Sequence, residues 1–141
     1  MRLVRHLSDL PFEQLARGSV VTIGAFDGLH HGHEQLLRRV LAESQGRGVP
    51  SVVMSFEPTP REFFSAAAPP ARLMRFREKF DSLADHGVDI FYCPRFSEAM
   101  RSISADAFIR RILVHGLNAR HIVIGDDFRF ARKREGTLDE L

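Results

Sequence analysis

The sequence predicts an α/β domain: a parallel sheet with helices on both faces. Three observations carry it. Short β-branched apolar runs alternate with longer segments of helical periodicity. The helical segments stop at or near glycines. The least ordinary residues stand just after the apolar runs, where an open parallel sheet binds its ligands.

Val20 to Ile23 is a β-branched run and reads as a buried strand. Residues 33 to 45 place Leu36, Leu37, Val40 and Leu41 on one helical face and stop near Gly46 and Gly48. Ser51 to Phe56 reads as a second strand. Residues 72 to 86 put Leu73, Phe76, Phe80 and Leu83 on one face and end at Gly87, a plausible residue for the left-handed turn that closes a helix. Asp89 to Cys93 is a third strand. Ser104 can cap a helix whose face is Phe108, Ile109, Ile112 and Leu113 and which ends at Gly116. His121 to Ile124 is a fourth strand. Strand and helix in this alternation close a parallel sheet through right-handed crossovers.

The 141 residues suffice for one domain with a real core. A hydrophobic content of 44% and a charged content of 27% are those of a soluble globular chain. No run approaches the roughly 20 apolar residues of a membrane span, and the N-terminus has no long apolar region, so neither a membrane partner nor a signal peptide is expected. One cysteine, Cys93, excludes an internal disulfide and fits a cytoplasmic location. A net charge of +2 does not argue for nucleic acid. The local cluster Arg129, Arg132, Lys133 and Arg134 reads either as a solvated loop or as an anion contact.

The chemistry concentrates in Gly24-Ala25-Phe26-Asp27-Gly28-Leu29-His30-His31-Gly32-His33. The run lies between the first strand and the first helix. Glycines let backbone approach a polyanion, and a helix start offers free N–H groups and the positive end of a dipole. His30 and His33 are three apart, share one face of the first turn and can donate to phosphate oxygens. The plainer reading is a solvated helix start. Asp27 caps the turn or the following helix, or stays near a phosphate ligand and its cation. Phe26 is core or a cover over that ligand. The run is neither a Walker loop nor a Gly-x-Gly-x-x-Gly turn, and no complete metal-ligand set can be named.

His30-His31-Gly32-His33 resembles the His-x-Gly-His signature of the nucleotidylyltransferase superfamily. The longer run from Gly24 narrows this to the adenylyltransferase (FAD synthetase) module of bacterial bifunctional riboflavin kinase/FMN adenylyltransferases. Ser51 to Phe64 is similar to that family's second block, Pro70 to Leu73 with Arg77-Glu78-Lys79 to its third, and Ile124 to Phe130 to its flavin-side loop. The resemblance covers essentially the whole chain. It implies a Rossmann-like fold of nucleotidylyltransferase type, with transfer of AMP from ATP to FMN giving FAD and pyrophosphate. It further implies Mg²⁺ with the ATP and a C-terminal riboflavin kinase domain in a full-length parent.

Carried onto this chain, the resemblance makes His30 and His33 the catalytic pair. Gly24, Ala25, Phe26, Asp27, Gly28, His30, Gly32 and His33 become the ATP turn. Pro58, Pro60, Phe63, Asp127, Phe128 and Phe130 become the flavin subsite. The two prolines stiffen a rim after the second strand, and two phenylalanines in a polar loop suit stacking on a flat ring. Thr59 stands where the family usually has histidine, and Ala131 where it usually has glycine. A Ser-Ser-Thr-x-x-Arg-type segment that follows in the family does not occur before Leu141. The expectation is therefore a fragment or truncated gene, incomplete at its C-terminus, with little activity alone. The alternatives are a non-catalytic nucleotide- or flavin-binding remnant, and another His-x-Gly-His nucleotidylyltransferase.

Overall fold

In the computed structural model the described residues are 1–24, 26, 31–57 and 76–125. They form a five-stranded sheet in the order β1-β4-β3-β2-β5. The strands are β1 (Arg2–Val4), β2 (Ser19–Ile23), β3 (Ser51–Met54), β4 (Ile90–Tyr92) and β5 (Ala119–Ile122). Every pairing is parallel. The helical elements between them are a 3-10 turn (Leu7–Asp9), α1 (His31–Arg47), α2 (Phe76–Asp85), α3 (Glu98–Arg101), and α4 (Ala105–Ala107), which continues into a π-helical segment, Phe108–Gly116.

Each strand's side chains alternate between two cores. Val21 and Ile23, Val52 and Met54, and Ile90 and Tyr92 point to one face. They meet Phe108, Ile112, Leu113 and Leu117 from the π segment and its end, and Leu10 and Leu15 from the N-terminal stretch. On the other face Val53 and Phe91 pack against Leu37 of α1 and Leu83 of α2, with Phe26 among them. Val20 packs there on Val40. β2 and β3 are buried at every residue, as strands covered on both faces must be, and their sequences are correspondingly rich in valine without alternation. Helices lie on both faces, as the sequence predicts.

Polar anchors tie down the amino ends of the strands. Ser51 Oγ donates to Asp89 Oδ2 at 3.1 Å and accepts from Asp89 N at 3.0 Å, while Ser51 N donates to the same carboxylate at 2.9 Å. Ser19 Oγ donates to the Leu117 carbonyl at 2.7 Å. Ser44 Oγ closes the end of α1 on the Val49 carbonyl at 2.6 Å. α1 then turns at Gly48, whose φ of +66° only glycine adopts freely.

Four differences from the sequence reading have physical causes. β1 is unpredicted: three residues with two exposed give no periodic signal, and only pairing with β4, Leu3 against Phe91, makes them a strand. β5 lies at Ala119–Ile122 rather than at His121 to Ile124. Asn118, at φ +50°, turns the chain immediately after the helix, and its Nδ2 donates to the Leu15 carbonyl at 2.8 Å, so the strand starts as soon as the turn is complete. The helix after Ser104 is capped as expected, the hydroxyl accepting from Ala107 N, but it widens into a π-helix. Leu117 N donates to the Ile112 carbonyl five residues back at 2.8 Å, which brings Leu117 into the core and leaves Ile109 only half-buried. α3 is a single capped turn, with Ser97 Oγ accepting from Met100 N at 3.3 Å. Of the expected helix over 72 to 86, the described part is α2, and Leu73 lies outside the described residues.

Tyr92 is the chain's single tyrosine, and there is no tryptophan. Burial pushes its phenol from 10.0 up to about 12. The folded state therefore holds a proton that the unfolded state gives up above about pH 10. Stability is full below the unfolded pKa and falls as pH rises from about 10 through about 12. An ultraviolet absorbance titration should show a single tyrosinate transition near 12 in the folded protein and near 10 in denaturant. A folded-state midpoint near 10 would contradict the burial.

Candidate nucleotide site

The strand order fixes where a ligand can bind. From β2 the chain moves to β3 and then β4 through α1 and α2 on one face. It then crosses back through α3 and α4 on the other face to β5, beside β2. The crossovers diverge between β2 and β5, and the carboxyl ends at such a switch point are where open parallel sheets bind their ligands. β2 runs out there into the Gly24–His33 turn and β5 into Gly125.

Gly24 extends the sheet by one residue, its N–H donating to the Met54 carbonyl at 3.1 Å. A Cβ at Gly24 would lie 3.0 Å from Cε2 of Phe26. The close approach of that ring favours glycine here, since a Cβ would oblige the ring to shift by a few tenths of an ångström. Phe26 is fully buried and holds φ at +52°, a left-handed conformation costly for an aromatic residue. Two contacts offset the cost: burial among Leu37, Val53, Phe91 and Cys93, and the imidazole of His33, whose ring centroid is 5.0 Å away at a tilt of 44°. Phe26 is thus core, and its core role serves the turn.

α1 begins at His31, two residues earlier than the periodicity indicates, so Gly32 and His33 both belong to its first turn. His33 is half-buried with its ring fixed on Phe26. Glu34 stands in the same first turn, where the helix dipole favours a carboxylate.

Of the residues read as the ATP turn, the structure brings together Gly24, Phe26 and His33, and it places Gly32 in the first turn of α1. Ala25, Asp27, Gly28 and His30 lie outside the described residues, as do Pro58, Pro60, Phe63, Asp127, Phe128 and Phe130 of the expected flavin subsite, with Thr59 and Ala131. The strands that lead to those two loops are β3 and β5, which flank β2 on either side.

Two cations at this edge escape the sequence reading. Lys79 is fully buried, its Nζ donating to Ser55 Oγ at 3.4 Å. Arg5, just past β1, donates from Nε to the Cys93 carbonyl at 2.6 Å and lies 5.1 Å from the centroid of the Phe76 ring. Lys79 was legible as a lysine on the apolar stripe of Phe76, Phe80 and Leu83. Arg5 was not, because the strand before it gave no signal.

A parallel sheet with helices on both faces, and with a glycine and a histidine-bearing helix start after its central strand, defines an open α/β protein. The particular family follows from comparison with known proteins: the chain matches the FAD synthetase family over residues 12–141 and belongs to it. It is 46% identical over 141 residues to the bifunctional riboflavin kinase/FMN adenylyltransferase of Pseudomonas fluorescens, covering 100% of this chain and 44% of that protein. It is 45% identical over 139 residues to the protein of the same name from Escherichia coli K12, covering 96% of this chain and 43% of the relative. Among solved structures it resembles a crystal structure described as a macrolide-efflux protein from Streptococcus pneumoniae. The TM-score is 0.75 at 27% identity, over 95% of this chain and 43% of that one. The chain therefore spans less than half the length of the relatives it matches. Among the described residues no helix is long and apolar enough to cross a membrane.

The Phe26 ring carries the turn's packing, so truncating it should cost what an aromatic core deletion costs. Phe26→Ala is expected to lower stability by roughly 3–5 kcal/mol in urea unfolding. Phe26→Leu, which refills part of the volume, should lower it by less. A loss below about 1 kcal/mol for the alanine variant would remove Phe26 from the core.

Proposed function

We propose that this chain is an FMN adenylyltransferase domain, which transfers AMP from ATP to FMN to give FAD and pyrophosphate. We further propose that it works in the cytoplasm beside a riboflavin kinase domain of the same protein. The observation that carries the reading is the packing of His33 on Phe26 beside Gly24, at the point where the sheet order reverses. Membership of the FAD synthetase family supplies the chemistry. The buried free thiol Cys93 needs no oxidising compartment.

The reaction asks for alignment and charge stabilisation. A phosphate monoester has a second pKa of about 6, so the FMN phosphate is largely dianionic at neutral pH and needs no general base. One of its oxygens forms a bond to the α-phosphorus of ATP. The bond from that phosphorus to the bridging oxygen breaks, and pyrophosphate leaves with the electron pair. His33, and His30 three residues before it, donate to the phosphate oxygens as charge shifts to the leaving group. The ring of Phe26 fixes the imidazole of His33, so that donor is set before the substrate arrives.

Mg²⁺ enters as part of the MgATP substrate and neutralises phosphate charge. An ion that keeps water and phosphate ligands asks for few protein carboxylates. Among the described residues no group of three or more His, Cys, Asp or Glu is placed to hold a metal. The flavin reads against Pro58, Pro60, Phe63, Asp127, Phe128 and Phe130, on the loops that follow β3 and β5 to either side of the ATP turn.

The test is FAD formation from ATP, FMN and Mg²⁺. His33→Ala should lower turnover by roughly 10²–10³, as for loss of one preorganised donor. Unchanged turnover in a folded variant would exclude His33 from the site. Phe128→Ala should weaken FMN binding on the order of 3–10-fold, as for loss of one aromatic contact, with ATP binding unchanged. Equal weakening of both substrates would overturn the division into two subsites.

A further inference from the structure

Arg5 is the first residue after β1 and Cys93 the first after β4, so both stand at the carboxyl ends of neighbouring strands. The two ends are tied twice. Cys93 N donates to the Val4 carbonyl at 2.8 Å, and Arg5 Nε donates to the Cys93 carbonyl at 2.6 Å. The guanidinium carbon lies over the ring of Phe76, 5.1 Å from its centroid. Phe76 in turn stacks on the fully buried Phe91 of β4, with 5.8 Å between centroids and 21° between planes. Arg5, Phe76 and Phe91 thus form three layers. The hydrogen bond and the stacking together hold the head of the arginine at the edge of the sheet where ligands bind.

A guanidinium carries five N–H donors in one plane. Nε uses one of them. Among the described residues the four on the terminal nitrogens have no acceptor, and Arg5 forms no ion pair. By contrast Arg47, Arg77, Arg101 and Arg110 each pair with a carboxylate three or four residues away. Arg5 is half-buried, in surroundings where polar groups ordinarily find partners, and its head is held before any ligand arrives. A planar fork with terminal donors to spare matches the paired oxygens of a phosphate. We propose that Arg5 is a phosphate-binding residue: its terminal nitrogens donate to the phosphate oxygens of a phosphorylated substrate at the carboxyl ends of β1 and β4. β3 separates β4 from β2, so this anchor stands two strand spacings, about 10 Å, from the strand that leads into the His33 turn. The proposal rests on the substrate reading given above. Under that reading two substrates carry phosphate, ATP and FMN, and the fork suits either.

The test is a set of dissociation constants on the full chain for two matched pairs, ATP with adenosine and FMN with riboflavin, together with the thermal midpoint. Arg5→Met keeps the stem and removes the fork. It should weaken ATP or FMN by about 10–100-fold, as for loss of a charged hydrogen-bonded contact, and leave the phosphate-free member of that pair unchanged. The pair that separates identifies the phosphate. Arg5→Lys, which keeps the charge without the fork, should fall between wild type and Arg5→Met. If Arg5→Met does not fold, Arg5→Lys is read alone, with the same separation inside one pair at a smaller size. An arginine that only pins β1 to β4 would lower the thermal midpoint and weaken both members of each pair alike. That result overturns the proposal, as do four unchanged affinities. Wild-type chain that binds none of the four ligands overturns the substrate reading as well. Wild-type chain that binds ATP and FMN beside an unaffected Arg5→Met overturns this proposal alone.

Discussion

The structure depends on β2 being paired on both edges. All five of its residues are buried, so each N–H and C=O must find a partner inside the protein. β3 supplies them on one side, from Val20 against Ser51 to Ile23 against Met54, and β5 on the other, with Val20 against His121. The ladder overruns the strand: Gly24 N still donates to Met54, and Val123 N to Val21. A strand held this way cannot shift by one residue, since that would exchange the side chains facing the two cores. The start of the Gly24–His33 turn is therefore set by the sheet and not by the turn.

That constraint explains why strain is tolerated at Phe26. Its left-handed backbone persists because surroundings over-determine it: Gly24 leaves room for the ring, the core of α1, α2 and β3 surrounds it, and the imidazole of His33 lies against it. Core packing and site geometry meet in this one side chain. Phe26 and the ring of His33 are consequently held by contacts that any folded molecule must make.

The two ends of the sheet divide the work. At the amino ends, neutral and charged groups are satisfied locally, Ser51 with Asp89, Ser19 with the Leu117 carbonyl, Asn118 with the Leu15 carbonyl. These bonds close turns and add stability. At the carboxyl ends, Arg5 and Lys79 stand over or within the aromatic cluster of Phe76 and Phe91, whose rings stack 5.8 Å apart.

The sequence by itself determined the central strands, the helical faces and the candidate turn. Val20 to Ile23, the Leu37 and Val40 stripe, and the Gly24 to His33 run carry local signals: β-branching, a period near 3.6, and glycine where backbone must come close. Burial bore these out at Leu37, Val40, Phe108 and Leu83. The tertiary structure alone decided what depends on distant partners. β1 exists because β4 offers it an edge, and β5 starts where Asn118 is held to the Leu15 carbonyl. The helix at Phe108 widens to seat Leu117, and Lys79 finds the Ser55 hydroxyl just past β3. Periodicity reports a segment's own faces, whereas strand order, register and the neighbours of a buried charge are set by contacts between residues far apart in the chain.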